Sequence, residues 1–456
     1  MMRRFWTICI LVLLAVQVTP SNVRAEEAGE SAVIAEITVD TGQTARLYTP
    51  VAIDLSRVPL PLDAGLRLVE QRGEERRPVP AQLQPGETPR LWFILDGATP
   101  AGGNRIFTLH REPDRSPPVI RTVLTERHLD IVAGDTPVLR YNHALVPPPE
   151  GVHENYVRSA FIHPLWAPNG EELTRIHPSD HYHHMGLWSP WTKTKFEGRD
   201  VDFWNLGKGQ GTVRFAGFLS YTSGPVFGGF RARQEHVDLS APGGVKAALN
   251  EVWDVRAFAT LAAASGTTGG STGGRSGDGG NTGSEDAGTS AGGTQHATAG
   301  QLVDFAITQS CATASPLELA KYRYGGFGFR ATGKWNVKNS DYLTSEGKTR
   351  ADGHASRSRW CIVQGTTDLG SSGVLFMSHP QNHAHPEPMR IWPQGDVFFN
   401  YCPIQADDWI LQPGIDHVLR YRLCLFEGAM NPKTAERLWQ DFAHPPASSL
   451  TNTSFK

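Results

Sequence analysis

Residues 247–256 read AALNEVWDVR, and within them Leu249, Glu251, Trp253 and Val255 recur at every second position. Successive side chains of a strand point to opposite faces, so these four share one face. Three are apolar and one is a carboxylate. A carboxylate in an apolar row is either paired or carries a raised pKa. Glu251 is therefore read as a candidate acid/base group, with a buried salt bridge to Arg231 or Arg233 as the alternative.

Similar runs lie to both sides: TVRFAGFLSY at 212–221, GVLFMSH at 373–379, GDVFFNYC at 395–402 and HVLRYRLCLFEG at 417–428. Upstream, residues 34–112 carry AEITVD, ARLYTPVAIDL, LRLVEQ, LWFIL and RIFTLHRE, separated by turn signals such as TGQ and QPGETP. Short strands at that spacing predict a β-sandwich over 30–115. EPDRSPP at 112–118 reads as a stiff linker. A larger antiparallel β domain is expected over 119–445, its sheets closed into a barrel or stacked as a sandwich, since a chain of strands at this length must do one or the other. Helical periodicity is confined to PKTAERLWQDFA at 432–443, with Pro432 at its start and Leu438, Trp439 and Phe442 on one face. The fold class is all-β with a short C-terminal helix. In residues 265–300, Gly, Ser and Thr make up 25 of 36 positions. Such a segment cannot bury a core and is expected to be a disordered loop inside a hairpin.

The first 25 residues read as a signal peptide. Arg3 and Arg4 precede a short apolar run, and Val23-Arg24-Ala25 has the small-x-small form of a cleavage site. No later run approaches the ~20 apolar residues of a membrane helix. An exported protein, periplasmic or extracellular, is the expectation. The net charge of −3 provides no electrostatic footprint for nucleic acid. Export permits disulfides among Cys311, Cys361, Cys402 and Cys424, although Cys402 and Cys424 sit in strand-like runs where buried thiols are equally ordinary. One disulfide and none are both open readings. There is no GxSxG elbow, HExxH helix, P-loop or CxxC pair.

Polar groups concentrate in two further stretches. HPSDHYHHMGLW at 177–188 places four of the 17 histidines within eight positions. On a strand, His181 and His183 would face the same way, and Asp180 could orient a ring by accepting its second N–H. The alternative is a polar loop whose histidines cap turns. SHPQNHAHPEPMRIW at 378–392 holds His383 and His385 in the same HxH spacing, followed by Glu387, Arg390 and Trp392. It follows an apolar strand, as binding loops on rigid scaffolds do; a proline-rich crossover with incidental histidines is the alternative. VDFWNLG at 201–207 adds Asp202, Trp204 and Asn205, and 346–360 forms a basic loop.

The wording YVRSAFIHPLWAPNGEELTRIHPSDHYHHMGLW, followed by VDFWNLG, resembles a family of exported bacterial proteins labelled PmoA-like, of unassigned activity. The resemblance covers roughly residues 120–445 and includes SHPQNHAHP and the closing YRLCLFEG. It does not imply methane oxidation, because the membrane subunit of that name spans the bilayer and this chain has no such run. What it implies is a twisted supersandwich akin to the galactose-mutarotase-like fold, which serves epimerases, lyases and glycosidases.

The expected function is an exported carbohydrate-active enzyme acting on a poly- or oligosaccharide as a lyase, dehydratase, epimerase or hydrolase. His181, His183 and His184 would line a groove facing His383 and His385, with Glu251 as acid/base partner. Asp180, Trp188, Trp204, Asn205, Arg390 and Trp392 would bind substrate. No cofactor is required by this reading. The alternatives are a metal-dependent hydrolase or oxygenase, with a divalent metal on His181 and His183, and a non-catalytic glycan-binding or cell-surface module.

Overall fold

The computed structural model describes residues 33–58, 65–112, 116–259 and 300–452. The expected signal peptide and all but the last residue of the Gly/Ser/Thr-rich segment lie outside the described residues. The fold is all-β, with antiparallel sheets and, among the described residues, one short α-helix.

The N-terminal sandwich packs a five-stranded sheet on a three-stranded one. Alternation decides its core. Ile37, Val39, Leu68, Phe107 and Leu109 point in from the first sheet, and Val51, Ile53, Leu91, Phe93 and Leu95 from the second. The last described strand, Ala447–Asn452, returns from the far end of the chain to pair with Val33–Asp40.

Two eight-stranded antiparallel sheets follow. The first runs, in spatial order, Gly211–Thr222, Phe227–Asp238, Lys246–Phe258, Gly300–Cys311, His417–Glu427, Gly370–Ser378, Trp360–Thr367 and Ser340–Thr344. Strands Lys246–Phe258 and Gly300–Cys311 pair directly, Ala257 opposite Val303, so the Gly/Ser/Thr-rich segment connects the arms of a hairpin. The second sheet runs Met389–Ile391, Phe398–Tyr401, Gly328–Arg330, Leu187–Trp188, Phe161–Leu165, Thr136–Asn142, His128–Ala133 and Ile120–Leu124. One shared core joins the two, with Trp253, Phe305, Phe376 and Tyr421 from the first sheet meeting Tyr141, Leu187, Phe329 and Phe399 from the second.

The helix Pro432–Ala443 is capped by Asn431, whose Oδ1 accepts from Thr434 N at 2.9 Å. It buries Leu438 and Trp439 against the outer face of the first sheet. Its Asp441 accepts from Arg46 Nη1 at 2.9 Å and Thr49 Oγ1 at 3.0 Å, both buried, which ties the helix to the N-terminal sandwich. The four described cysteines, Cys311, Cys361, Cys402 and Cys424, are all free thiols, the last three of them buried among apolar side chains. No described helix is long and apolar enough to cross a membrane.

Candidate functional site

Period-two alternation in the second sheet creates the site. Leu187, Phe329, Phe399 and Ile391 turn into the shared core. Their neighbours Trp188, Gly328, Arg330, Phe398, Arg390 and Trp392 therefore face the other way. The registers Trp188–Gly328, Arg330–Phe398 and Arg390–Asn400 bring these outward positions together across four short strands. A separate apolar cluster of Phe161, Met185, Trp188, Trp204 and Phe398 forms on this face, with Tyr324 and Trp392 packed at its margin. Gly328 is needed there because a Cβ would stand 2.8 Å from Trp204 Cη2.

The histidine loop folds over this cluster as turns, not as the strand on which the HxH spacing was read. His181 N donates to Pro178 O and His184 N to His181 O, both at 2.9 Å. Those turns bring three imidazoles together: His181 and His184 stack at 4.7 Å, and His183 stands edge-on to both, at 5.4 and 4.8 Å. His177 goes elsewhere and contacts the Tyr156 carbonyl at 3.1 Å.

Beneath the loop lies Arg330, fully buried. Its Nη2 donates to both carboxylate oxygens of Asp180 at 2.8 Å and to Asp396 at 2.6 Å, and its guanidinium lies 4.7 Å from the Trp392 ring centroid. Burial works to raise the Asp180 pKa, but bonds from Arg330 and His181 overcome it and hold the carboxyl below its ordinary value. Ionised Asp180 can only accept, so the His181 Nδ1 contact at 2.9 Å carries the ring proton on Nδ1 and leaves Nε2 as the basic atom. Arg330 can only donate, so at its long 3.4 Å contact His184 Nδ1 is the acceptor. Burial, assisted by the neighbouring His181, lowers the His183 pKa to about 4, and burial with His183 and Arg330 holds His184 well below its ordinary value, so both rings are neutral near pH 7.

A cavity of about 140 Å³ opens among His181, His183, Trp204, Asn205, Tyr324 and Trp392, with Arg323, Arg390, His184 and Phe398 also lining it. Asn205 is held by Asp202 Oδ2 at 2.8 Å and accepts from Tyr324 Oη at 3.1 Å. Depressions of about 690 and 530 Å³ lie elsewhere, but neither is lined by histidine. Titratable groups converge with aromatic walls in the smaller one, and that convergence is the better indicator of a site.

Three sequence-based expectations about partners are not met by this geometry. Glu251 is fully buried between the two sheets, where Oε1 accepts from Trp253 Nε1 at 2.7 Å and Oε2 from Gln309 Nε2 at 2.5 Å. Burial raises it to about 7, yet it does not line the cavity, and Arg231 pairs with Asp254 instead. His383 stacks on Trp409 at 4.2 Å, and His385 Nδ1 lies 3.1 Å from Ser378 Oγ; neither reaches the histidine loop's cavity. Trp188 is fully buried under His184 and Trp204 and supports the wall instead of forming it.

Among the described residues, no group of three or more His, Cys, Asp or Glu side chains is arranged to hold a metal ion. The imidazoles present faces and edges to one another, and the buried Arg330 cation stands beside His184, an unfavourable neighbour for a second cation. Arg323, Tyr324, Arg330 and Phe398 were not singled out from the sequence. Only the outward parity of Arg330 in its strand could have flagged it.

No curated protein matches the sequence. The sequence model of one family matches residues 128–267 and 285–440, which cover nearly all of the two eight-stranded sheets and break only within the Gly/Ser/Thr-rich segment. The chain thus belongs to the DUF6807 family, described as a family of unknown function.

Proposed function

We propose that this protein is an exported carbohydrate-active enzyme whose cavity holds one sugar ring of an oligo- or polysaccharide. The observation that carries the proposal is the Asp180–His181 pair at a cavity walled by Trp204, Tyr324 and Trp392. Aromatic faces suit the apolar faces of a pyranose, and Asn205 and the imidazoles offer hydrogen bonds to its hydroxyls. The volume is under half the ~300 Å³ at which ordinary ligand clefts begin, so a single ring is the occupant.

In this reading His181 Nε2 is the general base, oriented by Asp180, which Arg330 fixes in turn. Neutral His183 donates an N–H to the oxygen on which charge develops. His181 takes a proton from the ring carbon next to the ligand's carbonyl or carboxyl group, whose oxygen accepts the developing charge. In elimination the adjacent C–O bond breaks and the departing oxygen takes that proton back from the His181 imidazolium, and in epimerisation water supplies the proton to the opposite face. The likeness to a galactose-mutarotase-like supersandwich and to PmoA-like proteins belongs to the same proposal. It is supported by the two large antiparallel sheets and by a site on an outer sheet face.

The test is a product screen by mass spectrometry and NMR over neutral and acidic oligosaccharides, using wild type and His181→Ala. His181 is partly exposed, so the variant is expected to keep its melting temperature while turnover falls ~100-fold or more. Turnover that survives the substitution overturns the role given to His181. Binding without turnover by wild type makes the protein a glycan-binding module, and absence of both removes carbohydrate as the ligand.

A further inference from the structure

The charges around the cavity do not balance. Arg330 and Arg175 are matched by Asp180 and Asp396, and Lys208 by Asp202 at 2.6 Å. The buried imidazoles are neutral. Among the groups lining the cavity two guanidinium groups remain, Arg323 and Arg390, which lie 5.8 and 5.7 Å from the centroid of the same Tyr324 ring. Among the described residues neither has a carboxylate partner, and Arg390 is half-buried. Burial, and next the repulsion of Arg323, pulls the Arg390 pKa below its ordinary value. One cation on an aromatic face is a common stabilising contact. Two like charges sharing one ring at the mouth of a cavity repel each other, and an anion placed between them removes that cost.

We propose that Arg323 and Arg390 receive the carboxylate of an acidic pyranose, so that the ligand of this cavity is a glycan ending in a uronic acid. The inference rests on the carbohydrate reading above and narrows it. A planar carboxylate matches the guanidinium fork, with two parallel N–H···O bonds available from each arginine. The ring that carries it has Trp392, Trp204 and Tyr324 as walls and Asn205 with His183 as hydroxyl partners. The site would discriminate against a neutral sugar because two unpaired cations would stay unmatched.

Titration calorimetry on the full chain tests this with D-glucuronate and D-galacturonate, glucose and galactose, glucose 6-sulfate, and acetate. At least one uronate is expected to bind ~10-fold or more tightly than its neutral counterpart, the effect of one charge-assisted hydrogen bond. Read as the ratio of uronate to neutral-sugar affinity within each variant, that advantage should disappear in Arg390→Met and shrink in Arg323→Met. Arg323 is exposed, so its variant folds even if the Arg390 variant does not. Neutral and acidic sugars binding alike would overturn the carboxylate site and leave the carbohydrate reading standing. No sugar of either kind binding would overturn both. Acetate or the sulfate ester binding as tightly as the uronate would mean a general anion site and would also overturn the proposal.

Discussion

Glu387 supplies a quantitative test of how the second histidine stretch is built. Its carboxylate is fully buried, with Oε2 accepting from Asn382 Nδ2 at 2.9 Å and from Ser378 Oγ, and Oε1 accepting from Tyr421 Oη at 2.8 Å. Burial pushes its pKa from 4.5 up to about 7, against the pull of those three donors. Below pH 4.5 both folded and unfolded states hold the proton. Between 4.5 and about 7 the folded state binds it more tightly, so this group's contribution to stability is lost as pH rises through that window. At ~1.4 kcal/mol per pH unit, the loss is roughly 3 kcal/mol, an upper bound for a buried site. Glu387→Gln removes the titration while keeping the shape. Its amide oxygen can accept from Asn382 and Ser378, and its NH₂ can donate to Tyr421, whose hydroxyl accepts as well as donates. Urea unfolding of both proteins at pH 5 and pH 8 isolates the effect, since all other groups cancel in the difference. The variant should be within about 1 kcal/mol of wild type at pH 5 and more stable by about 2–3 kcal/mol at pH 8. Equal pH dependence in the two proteins would refute the buried, proton-holding carboxyl.

Three other perturbations read different parts of the molecule. Arg330→Met removes the buried cation that Asp180 and Asp396 share, and because both carboxylates are about two-fifths exposed and can be solvated, the loss in denaturant unfolding should be about 1–3 kcal/mol; a loss below ~0.5 kcal/mol would mean the ion pairs are of surface worth only. Gly328→Ala drives a methyl against Trp204 and should destabilise by about 1–3 kcal/mol, with a changed tryptophan emission spectrum; an unaltered spectrum and melting temperature would show that the wall yields freely. His236 is fully buried with neither ring nitrogen partnered among the described residues, and burial lowers its pKa to about 3. Its folded state resists protonation, so its stabilising contribution is present above the unfolded pKa and is lost as pH falls from 6.5 toward 3. His236→Phe should therefore resist acid unfolding better than wild type, and a variant that unfolds at the same pH would contradict this.

Period and punctuation in the sequence determined the fold class. Alternating rows such as Leu249, Glu251, Trp253 and Val255 are buried together as read, the hairpin across the Gly/Ser/Thr-rich segment pairs in register, and the helix spans Pro432–Ala443. These are local properties, dictated by backbone geometry and by which face must leave water. The density of histidines also marked the loop that lines the cavity, as did Trp204, Asn205, Arg390 and Trp392. Which polar groups meet was decided only by strand order and register. Glu251 occupies an inward position of a central strand, so it joins the core and not the site. His383 and His385 flank a turn whose hydrogen bonds converge on buried Glu387, drawing their loop onto Trp409 and Trp439. Arg330, 146 residues beyond His184, becomes the centre of the site because Gly328–Arg330 pairs next to Leu187–Trp188. No local pattern encodes such a neighbour, since contacts of that sequence separation depend on how sheets are ordered and not on the period of either strand.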